Sequence, residues 1–235
     1  MTPKKVELLK QLLLKQYGRP AKRYPSDPID QLVATILSQN TSDVNSERAF
    51  DKLKQRFPTW ETVLKAKPEA VARAIHCGGL AQIKSLRIIK VLQTIVEKEG
   101  RLSLQRIASL PVNEALAYLT DLDGVGIKTA CCVLLFAWGK PVMPVDTHVF
   151  RVTQRLGWLR GNDRIEKAHE ELHKLIAPAD RYVMHMLLIQ HGRKTCHALR
   201  PACCECTISL HCPSAMLESS RVMHAKDQAT TTLRL

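Results

Sequence analysis

The chain has 235 residues, of which 45% are hydrophobic, and this composition is that of a globular protein with one or two domains. Lysine and arginine number 35 against 22 acidic residues, so the formal net charge is +13 at pH 7. Such a surplus favours a polyanionic partner, although solubility alone is an alternative explanation. The longest apolar run, 130–138, is far shorter than the ~20 residues of a membrane span, so we expect no membrane partner.

The spacing of apolar residues predicts helices throughout, and period-two alternation is nearly absent, so we expect an all-α fold. Proline, glycine and capping residues mark where the helices begin and end. The expected helices are, in chain order, 4–17, one from Asp27-Pro28 to about Asn40, one after Ser42-Asp43, two short ones after Pro58 and Pro68, and 81–99. No internal repeat is visible, and we expect a disordered tail over 217–235.

The predicted helix over 81–99 has two distinct faces. We expect the apolar residues at helical spacing to face the core: Ile83, Leu86, Ile89, Leu92 and Ile95. We expect the opposite face to expose the basic residues Lys84, Arg87 and Lys90. Arg193 and Lys194 form a second basic cluster immediately before a cysteine-rich segment.

Four cysteines near the C-terminus follow the spacing C-x6-C-x2-C-x5-C: Cys196, Cys203, Cys206 and Cys212. Four thiolates this close in sequence can enclose one soft metal centre. A structural zinc site usually has two close pairs of ligands, whereas this segment has one, so the spacing modestly favours a [4Fe-4S] cluster over zinc. Disulfides are the remaining alternative. The absence of a secretory segment makes a reducing compartment the better expectation.

A glycine hairpin precedes the apolar run. Gly124 and Gly126 lie between two predicted helices, and the exposed N–H groups of such a turn, with the start of the next helix, can bind phosphate. A tight turn without a ligand is the alternative. Lys128 follows in the first turn of that helix, where its amine is a candidate nucleophile or, equally, a contact to phosphate.

A Val-Asp-Thr-His segment lies eighteen residues beyond Lys128. The pattern predicts that Asp146 or Thr147 caps the next helix. A carboxylate at a helix N-terminus stays ionised, so Asp146 is either only a cap or also a group that stabilises positive charge at a reacting carbon.

The hairpin with Lys128, the Asp146 segment and the four-cysteine loop, in this order, resemble endonuclease III of the helix-hairpin-helix DNA glycosylase superfamily. The resemblance covers about 26–213 and implies a two-lobed, all-helical fold. It implies a helical barrel lobe and an iron-sulfur lobe, with these bounds: 26–139 for the barrel, including a helix-hairpin-helix at about 113–132, and 1–25 with 140–213 for the iron-sulfur lobe.

The resemblance also implies an activity. By position, Lys128 and Asp146 correspond to the catalytic lysine and aspartate of the family, and the four cysteines to the ligands of a [4Fe-4S] cluster. The implied enzyme is a monomeric, bifunctional DNA glycosylase and abasic-site lyase that removes oxidised pyrimidines from duplex DNA in base excision repair. It would work through a Schiff base and β-elimination, in the cytoplasm at the nucleoid if the source is prokaryotic.

Two alternatives stay open at this stage. One is a monofunctional glycosylase for mispaired or deaminated bases, in which Lys128 only contacts phosphate. The other is a DNA-binding iron-sulfur module without catalytic activity. Adenine glycosylases of the superfamily lack a lysine at this position, so Lys128 argues for the bifunctional type.

Contacts to DNA with a damaged base or an abasic site are implied for several residues. Gln39 or Asn40 would fill the gap left by a flipped nucleotide, Leu80 would act as a hydrophobic wedge, and His148 would line the pocket. The full set of expected DNA contacts is Gln39, Asn40, Leu80, Gly124, Gly126, His148, Arg193 and Lys194. The chain departs from the family pattern at Asp123, where the hairpin usually has proline, and at Asn40, where the family has glutamine.

Overall fold

A computed structural model of the chain describes residues 2–21, 27–160 and 163–215. These residues form α-helices joined by turns and short 3-10 segments, and no β-strand occurs among them, which confirms the all-α prediction. The helices are α1 (Pro3–Tyr17), α2 (Pro28–Leu37), α3 (Asp43–Arg56), α4 (Trp60–Leu64), α5 (Pro68–Ala74), α6 (Ala81–Glu99), α7 (Val112–Thr120), α8 (Ile127–Trp138), α9 (Thr147–Arg155), α10 (Ile165–Leu175) and α11 (Arg181–Lys194).

Among the described residues, no helix has both the length and the apolar character needed to cross a membrane. The tail predicted to be disordered, 217–235, lies outside the described residues.

The helices group into two compact units, as far as their ranges are described. One unit takes Met1–Lys22 together with Val145–Leu235, and the other takes Arg23–Pro144. We call the first the terminal unit and the second the central unit. The assignment of 26–139 to a barrel lobe and of 1–25 with 140–213 to an iron-sulfur lobe stays a prediction.

The core of the central unit is built around α2 and α8, which pack against each other. Asp27 begins α2 as expected, because its carboxylate accepts hydrogen bonds from the N–H groups of Ile29 at 2.9 Å and Asp30 at 3.1 Å. Residues all round α8 are buried, in agreement with its apolar sequence. Each buried leucine or valine of this core stabilises the fold by about 1.5–3 kcal/mol.

The predicted faces of α6 are wrong in its first two turns. Ile83 and Leu86 are 55% and 57% exposed, whereas Lys84, expected at the surface, is only 2% exposed. The Lys84 Nζ donates hydrogen bonds to the carbonyl oxygens of Leu37 at 2.7 Å and Gly78 at 2.8 Å, so its polar end is satisfied inside the protein. Further along α6 the prediction is correct, because Ile89, Leu92 and Ile95 are buried and Lys90 is exposed.

In the terminal unit, α1 and α9 each pack against α11. Leu9 and Leu13 are fully buried on the inner face of α1. At the end of α1, the Tyr17 hydroxyl lies 2.9 Å from His191 Nδ1 and 2.7 Å from Thr195 Oγ1. These hydrogen bonds fix α1 to the chain just before the four-cysteine loop.

Candidate functional site

The glycine hairpin joins α7 to α8 in the central unit. Gly124 has a φ of +71°, which favours glycine, and the Val125 N–H donates to the Leu122 carbonyl at 3.0 Å to close the turn. Gly126 is the N-cap of α8 and has no side chain to cap it. The first N–H groups of α8 therefore remain available to an anion such as phosphate.

Lys128 lies in the first turn of α8 and is half-buried. Within the described part of the central unit, no carboxylate forms an ion pair with its amine. Asp123, at the tip of the hairpin, is exposed. Because no carboxylate of the described central unit pairs with it, the Lys128 amine can react with an electrophile or bind a phosphate. These are the two roles that the sequence analysis left open.

Gln39 is tied to the protein by both ends of its amide. Its Nε2 donates to Thr129 Oγ1 at 3.3 Å, and its Oε1 accepts from Arg87 NH1 at 2.6 Å. Asn40 is exposed, and among the described residues its side-chain amide makes no recorded hydrogen bond. Of the two residues expected to fill the gap of a flipped nucleotide, Asn40 is therefore the one whose amide is available.

The sequence analysis placed Arg87 on the basic face of its helix but did not identify it as part of the site. Its side chain packs on the hairpin so closely that a Cβ at Gly124 would lie 2.1 Å from Arg87 Nε. The positive φ favours glycine at position 124, and a larger residue there would also require the Arg87 side chain to move. The sequence carried no signal for the contact, because the partners of Arg87 lie on segments distant from α6.

Asn40 and Leu80 have an unusual backbone conformation in common. Their φ angles are +53° and +49°, in the left-handed region that non-glycine residues rarely adopt. The helix α2 ends at Leu37, three residues earlier than predicted, and a turn over residues 38–40 ends at Asn40. Leu80 is 52% exposed although it is apolar. Asparagine adopts this region more readily than other non-glycine residues, whereas for a leucine such strain costs of order 1–3 kcal/mol and is concentrated at functional sites.

Asp146 is the N-cap of α9 in the terminal unit. Its Oδ1 accepts a hydrogen bond from the Val149 N–H at 2.7 Å, so the cap is Asp146 and not Thr147. His148, two residues on, lies with its Nδ1 3.1 Å from Arg151 NH2. A Cβ at Gly192 would come within 2.9 Å of the His148 Cβ, so α11 confines this side chain.

The four cysteines predicted as metal ligands line one cavity in the terminal unit. Its walls include Val152, Leu156 and Ile208 together with Cys196, Cys203, Cys206 and Cys212. All four are free thiols, and the described residues contain no group of three or more His, Cys, Asp or Glu arranged around a single metal ion. A cavity lined by four thiols fits a soft metal centre with thiolate ligands.

Two arginines of α9 hold the start of the cysteine loop. Arg155 NH1 lies 3.2 Å from Cys196 Sγ and 2.7 Å from the His197 carbonyl, and Arg151 Nε donates to the Cys196 carbonyl at 3.0 Å. Their i, i+4 spacing on one helix face was a signal in the sequence that could have indicated this role. The helix that Asp146 caps is thus bonded to the cysteine loop.

Arg193 and Lys194 are exposed at the end of α11, immediately before the cysteine loop. The Lys194 Nζ lies 6.0 Å from the centre of the Tyr17 ring. Both positions suit contacts to a phosphate backbone, which stay a prediction.

Known proteins are similar to this chain over most of its length. A family model described as HhH-GPD superfamily base excision DNA repair protein matches residues 33–178. Endonuclease III of Thermotoga maritima is 35% identical over 208 residues, which are 88% of this chain and 92% of the relative. A protein of Arabidopsis thaliana provisionally named a DNA glycosylase is 39% identical over 165 residues, 70% of this chain but only 56% of the plant protein.

Solved structures of endonuclease III also superpose on this chain. A non-covalent endonuclease III–DNA complex superposes with a TM-score of 0.81 at 25% identity, covering 94% of this chain and 99% of that one. A trapped covalent endonuclease III–DNA intermediate gives a TM-score of 0.80 at 26% identity, covering 93% and 99%. The chain therefore belongs to the HhH-GPD superfamily of base excision DNA repair proteins and, within it, to the endonuclease III family.

Proposed function

We propose that this base excision repair enzyme, a DNA glycosylase and abasic-site lyase, removes oxidised pyrimidines from duplex DNA with Lys128 as its nucleophile. The observation that carries the proposal is the Lys128 amine in the first turn of α8, directly after a hairpin whose N–H groups can bind phosphate. A net charge of +13 suits a partner as strongly anionic as DNA. The endonuclease III structures it matches are complexes with DNA.

The first chemical step exchanges one bond at the sugar for another. The Lys128 amine attacks C1′ of the extruded nucleotide with its lone pair while the bond from C1′ to the base breaks, and the base leaves with the electron pair. Positive charge develops at C1′ as the base departs. The Asp146 carboxylate stabilises that charge and takes part in the proton transfers.

The second step cleaves the strand. Opening of the sugar ring turns the bond between Lys128 and C1′ into a Schiff base, which makes the C2′ proton acidic. Loss of that proton and β-elimination break the bond from C3′ to the phosphate oxygen. Hydrolysis of the Schiff base then releases the Lys128 amine for another cycle.

Base extrusion must come before this chemistry, because the C1′ atom of a stacked, paired nucleotide is out of reach. Asn40 would occupy the vacated position and Leu80 would enter beside the opposite strand. Both residues have a left-handed backbone conformation, which is strained at Leu80, and Leu80 is apolar and half exposed. Their conformations support these roles.

We infer that Cys196, Cys203, Cys206 and Cys212 hold a [4Fe-4S] cluster. Four thiols around one cavity supply one ligand for each iron. When bound, the cluster supplies a fixed anchor for the loop beside Arg193 and Lys194, and four protein ligands leave no open position for substrate. Purified protein should absorb broadly near ~400 nm, whereas a colourless zinc protein would contradict this cofactor.

A panel of duplexes, each with one lesion, tests the function as a whole. We expect release of an oxidised pyrimidine with strand cleavage that needs no alkali. Lys128→Ala should abolish cleavage, and Lys90→Ala, which removes an exposed lysine of the same unit, should not. Cleavage that appears only after alkali would indicate a monofunctional glycosylase, and binding without base release would indicate a module without catalytic activity.

A further inference from the structure

Lys84 is the buried lysine that the proposed chemistry does not use. It is only 2% exposed, near the start of α6. Burial, and to a smaller extent the positive charge of Arg87, lowers the pKa of its amine. Its Nζ donates to two backbone carbonyls, those of Leu37 at 2.7 Å and Gly78 at 2.8 Å. One side chain therefore joins two segments that are separated by forty residues of sequence.

The two carbonyls lie just before Asn40 and Leu80 in sequence. Leu37 is the last residue of α2, and the chain reaches Asn40 three residues later. Gly78 ends the short 3-10 turn His76–Gly78, and the chain reaches Leu80 two residues later. Carbonyls at helix ends lack partners within their helix, so Lys84 supplies donors that each segment needs.

Arg87, also on α6, makes further contacts to the segment before Asn40 and to the hairpin. Arg87, one turn further along α6, donates to Gln39 Oε1 at 2.6 Å and packs on Gly124 of the hairpin. Residues of α6 thus contact the segment of Asn40, the segment of Leu80 and the hairpin before Lys128. An apolar residue at position 84 would fill the space but leave both carbonyls unpaired.

We propose that Lys84 is a positioning residue that sets the separation of the Asn40 and Leu80 segments so that both enter the duplex together during base extrusion. The proposal rests on the proposed function, which assigns those two residues to the DNA. Lys84 itself contacts neither DNA nor the reacting atoms.

This role predicts a selective defect. Extruding a paired base requires breaking its stacking and pairing, whereas an abasic nucleotide has no base to unstack. Removing Lys84 should therefore slow base excision much more than strand cleavage at an abasic site that already exists. A residue needed only for folding would affect both reactions equally.

The test measures both reactions for the full-length protein under single-turnover conditions with enzyme in excess. Lys84→Met, which keeps the volume and removes the donors, should slow base excision on the order of 10- to 100-fold, as expected when segments of a site are displaced by about 1 Å. Cleavage of a preformed abasic duplex should change by no more than about threefold. Lys84→Arg should restore excision, and Lys90→Met, at an exposed position of α6, is the matched control.

A second measurement detects the entry of the Asn40 and Leu80 segments into the duplex without requiring base excision or strand cleavage. The fluorescence of 2-aminopurine opposite an abasic site rises when that base is unstacked, and Lys84→Met should abolish the rise while duplex binding persists. Lys84→Gln, which keeps a neutral donor, should show the same selective defect to a smaller extent and replaces Lys84→Met if that variant does not fold.

Two results would overturn the inference: excision and abasic cleavage that fall by the same factor, or a 2-aminopurine signal that is unchanged. A wild-type protein that excises no base would instead overturn the proposed function. In that case the 2-aminopurine signal on abasic DNA would still decide whether Lys84 controls insertion.

Discussion

The Asp146 carboxylate caps α9 and has a second, proposed role in the chemistry. Its Oδ1 accepts the Val149 N–H at 2.7 Å and so begins α9, which is the role that the sequence pattern predicts. Its proposed catalytic role depends on negative charge, whereas capping depends only on a hydrogen-bond acceptor. Substitutions can separate these two properties.

Asp146→Asn should keep the cap and lose the charge. We expect base excision to fall on the order of 10²- to 10³-fold, because an electrostatic partner of the transition state is removed. Thermal stability should stay close to wild type, whereas Asp146→Ala should also lose about 1 kcal/mol of stability with the cap. Single-turnover excision and thermal unfolding of both variants provide the measurements. Wild-type excision by Asp146→Asn would show that the residue is only a cap.

His173 should make stability depend on pH. Burial, followed by the positive charges of Arg181 and His169, lowers the pKa of His173 from 6.5 to about 4. Between these values the unfolded chain binds a proton that the folded chain does not, so stability falls as the pH falls from 6.5 towards 4. Since the imidazole is only partly buried, we expect a loss of about 1 kcal/mol at most by pH 5.

Denaturant unfolding at pH 7 and pH 5 measures this loss. His173→Gln cannot bind the proton, so the difference in unfolding free energy between the two pH values should be smaller than in wild type. An equal difference in both proteins would mean that His173 does not titrate in this range.

Capping residues could be predicted from the sequence because a cap needs only its own neighbours, as at Asp27 and Asp146. The network of Gln39 could not. Its partners, Arg87 and Thr129, are 48 and 90 residues away in sequence, and only folding brings them together. For the same reason the sequence left open whether Gln39 or Asn40 presents its amide to DNA.

At the scale of the element, α6 shows what periodicity predicts and what it does not. The spacing of apolar residues predicted its extent, Ala81–Glu99, and its buried side from Ile89 onward. The first two turns are inverted because Lys84 finds two carbonyl acceptors on other segments, and Ile83 and Leu86 face outward. A charge buried by distant acceptors leaves no periodic signal.

The hairpin before α8 should tolerate a methyl group at one glycine and not at the other. At Gly124 the φ of +71° would cost an alanine about 1–2 kcal/mol, and its Cβ would also displace the Arg87 side chain, whose Nε lies 2.1 Å from that position. Gly126 has an ordinary φ of −79° and open space around it. Gly124→Ala should therefore lower stability by about 2 kcal/mol or more, and Gly126→Ala by less than about 1 kcal/mol.

Thermal or denaturant unfolding of the two variants measures this difference directly. If Gly124→Ala proved as stable as Gly126→Ala, neither the positive φ at position 124 nor the contact with Arg87 would contribute to stability.

The cysteine loop should lose its structure when one ligand is removed. Cys203→Ser should lose the absorbance near ~400 nm, the folding of the C-terminal part and DNA binding, because a cluster with three thiolates no longer anchors the loop. Cys204→Ser is the matched control, since Cys204 is exposed and is not a predicted ligand. Absorbance, limited proteolysis and DNA binding provide the measurements. A Cys203→Ser protein that folds and cleaves DNA normally would contradict this role.

At the scale of the whole molecule, the chain contributes motifs to both compact units. The hairpin and Lys128 belong to the central unit, and Asp146 and the cysteines belong to the terminal unit. Each motif is local in sequence, so each was recognisable before the fold was known. The packing of α1 against α11 was not readable from periodicity, because an apolar stripe does not indicate which helix covers it.

The central claim is that Lys128 forms a covalent bond with the sugar, and borohydride trapping on duplex DNA with an abasic site tests it most directly. Borohydride reduces a Schiff base to a stable amine, so wild-type protein should yield a covalent protein–DNA adduct. Lys128→Ala should bind the same duplex and yield none. A wild-type protein that binds the duplex without an adduct, or an adduct that persists in Lys128→Ala, would contradict the account.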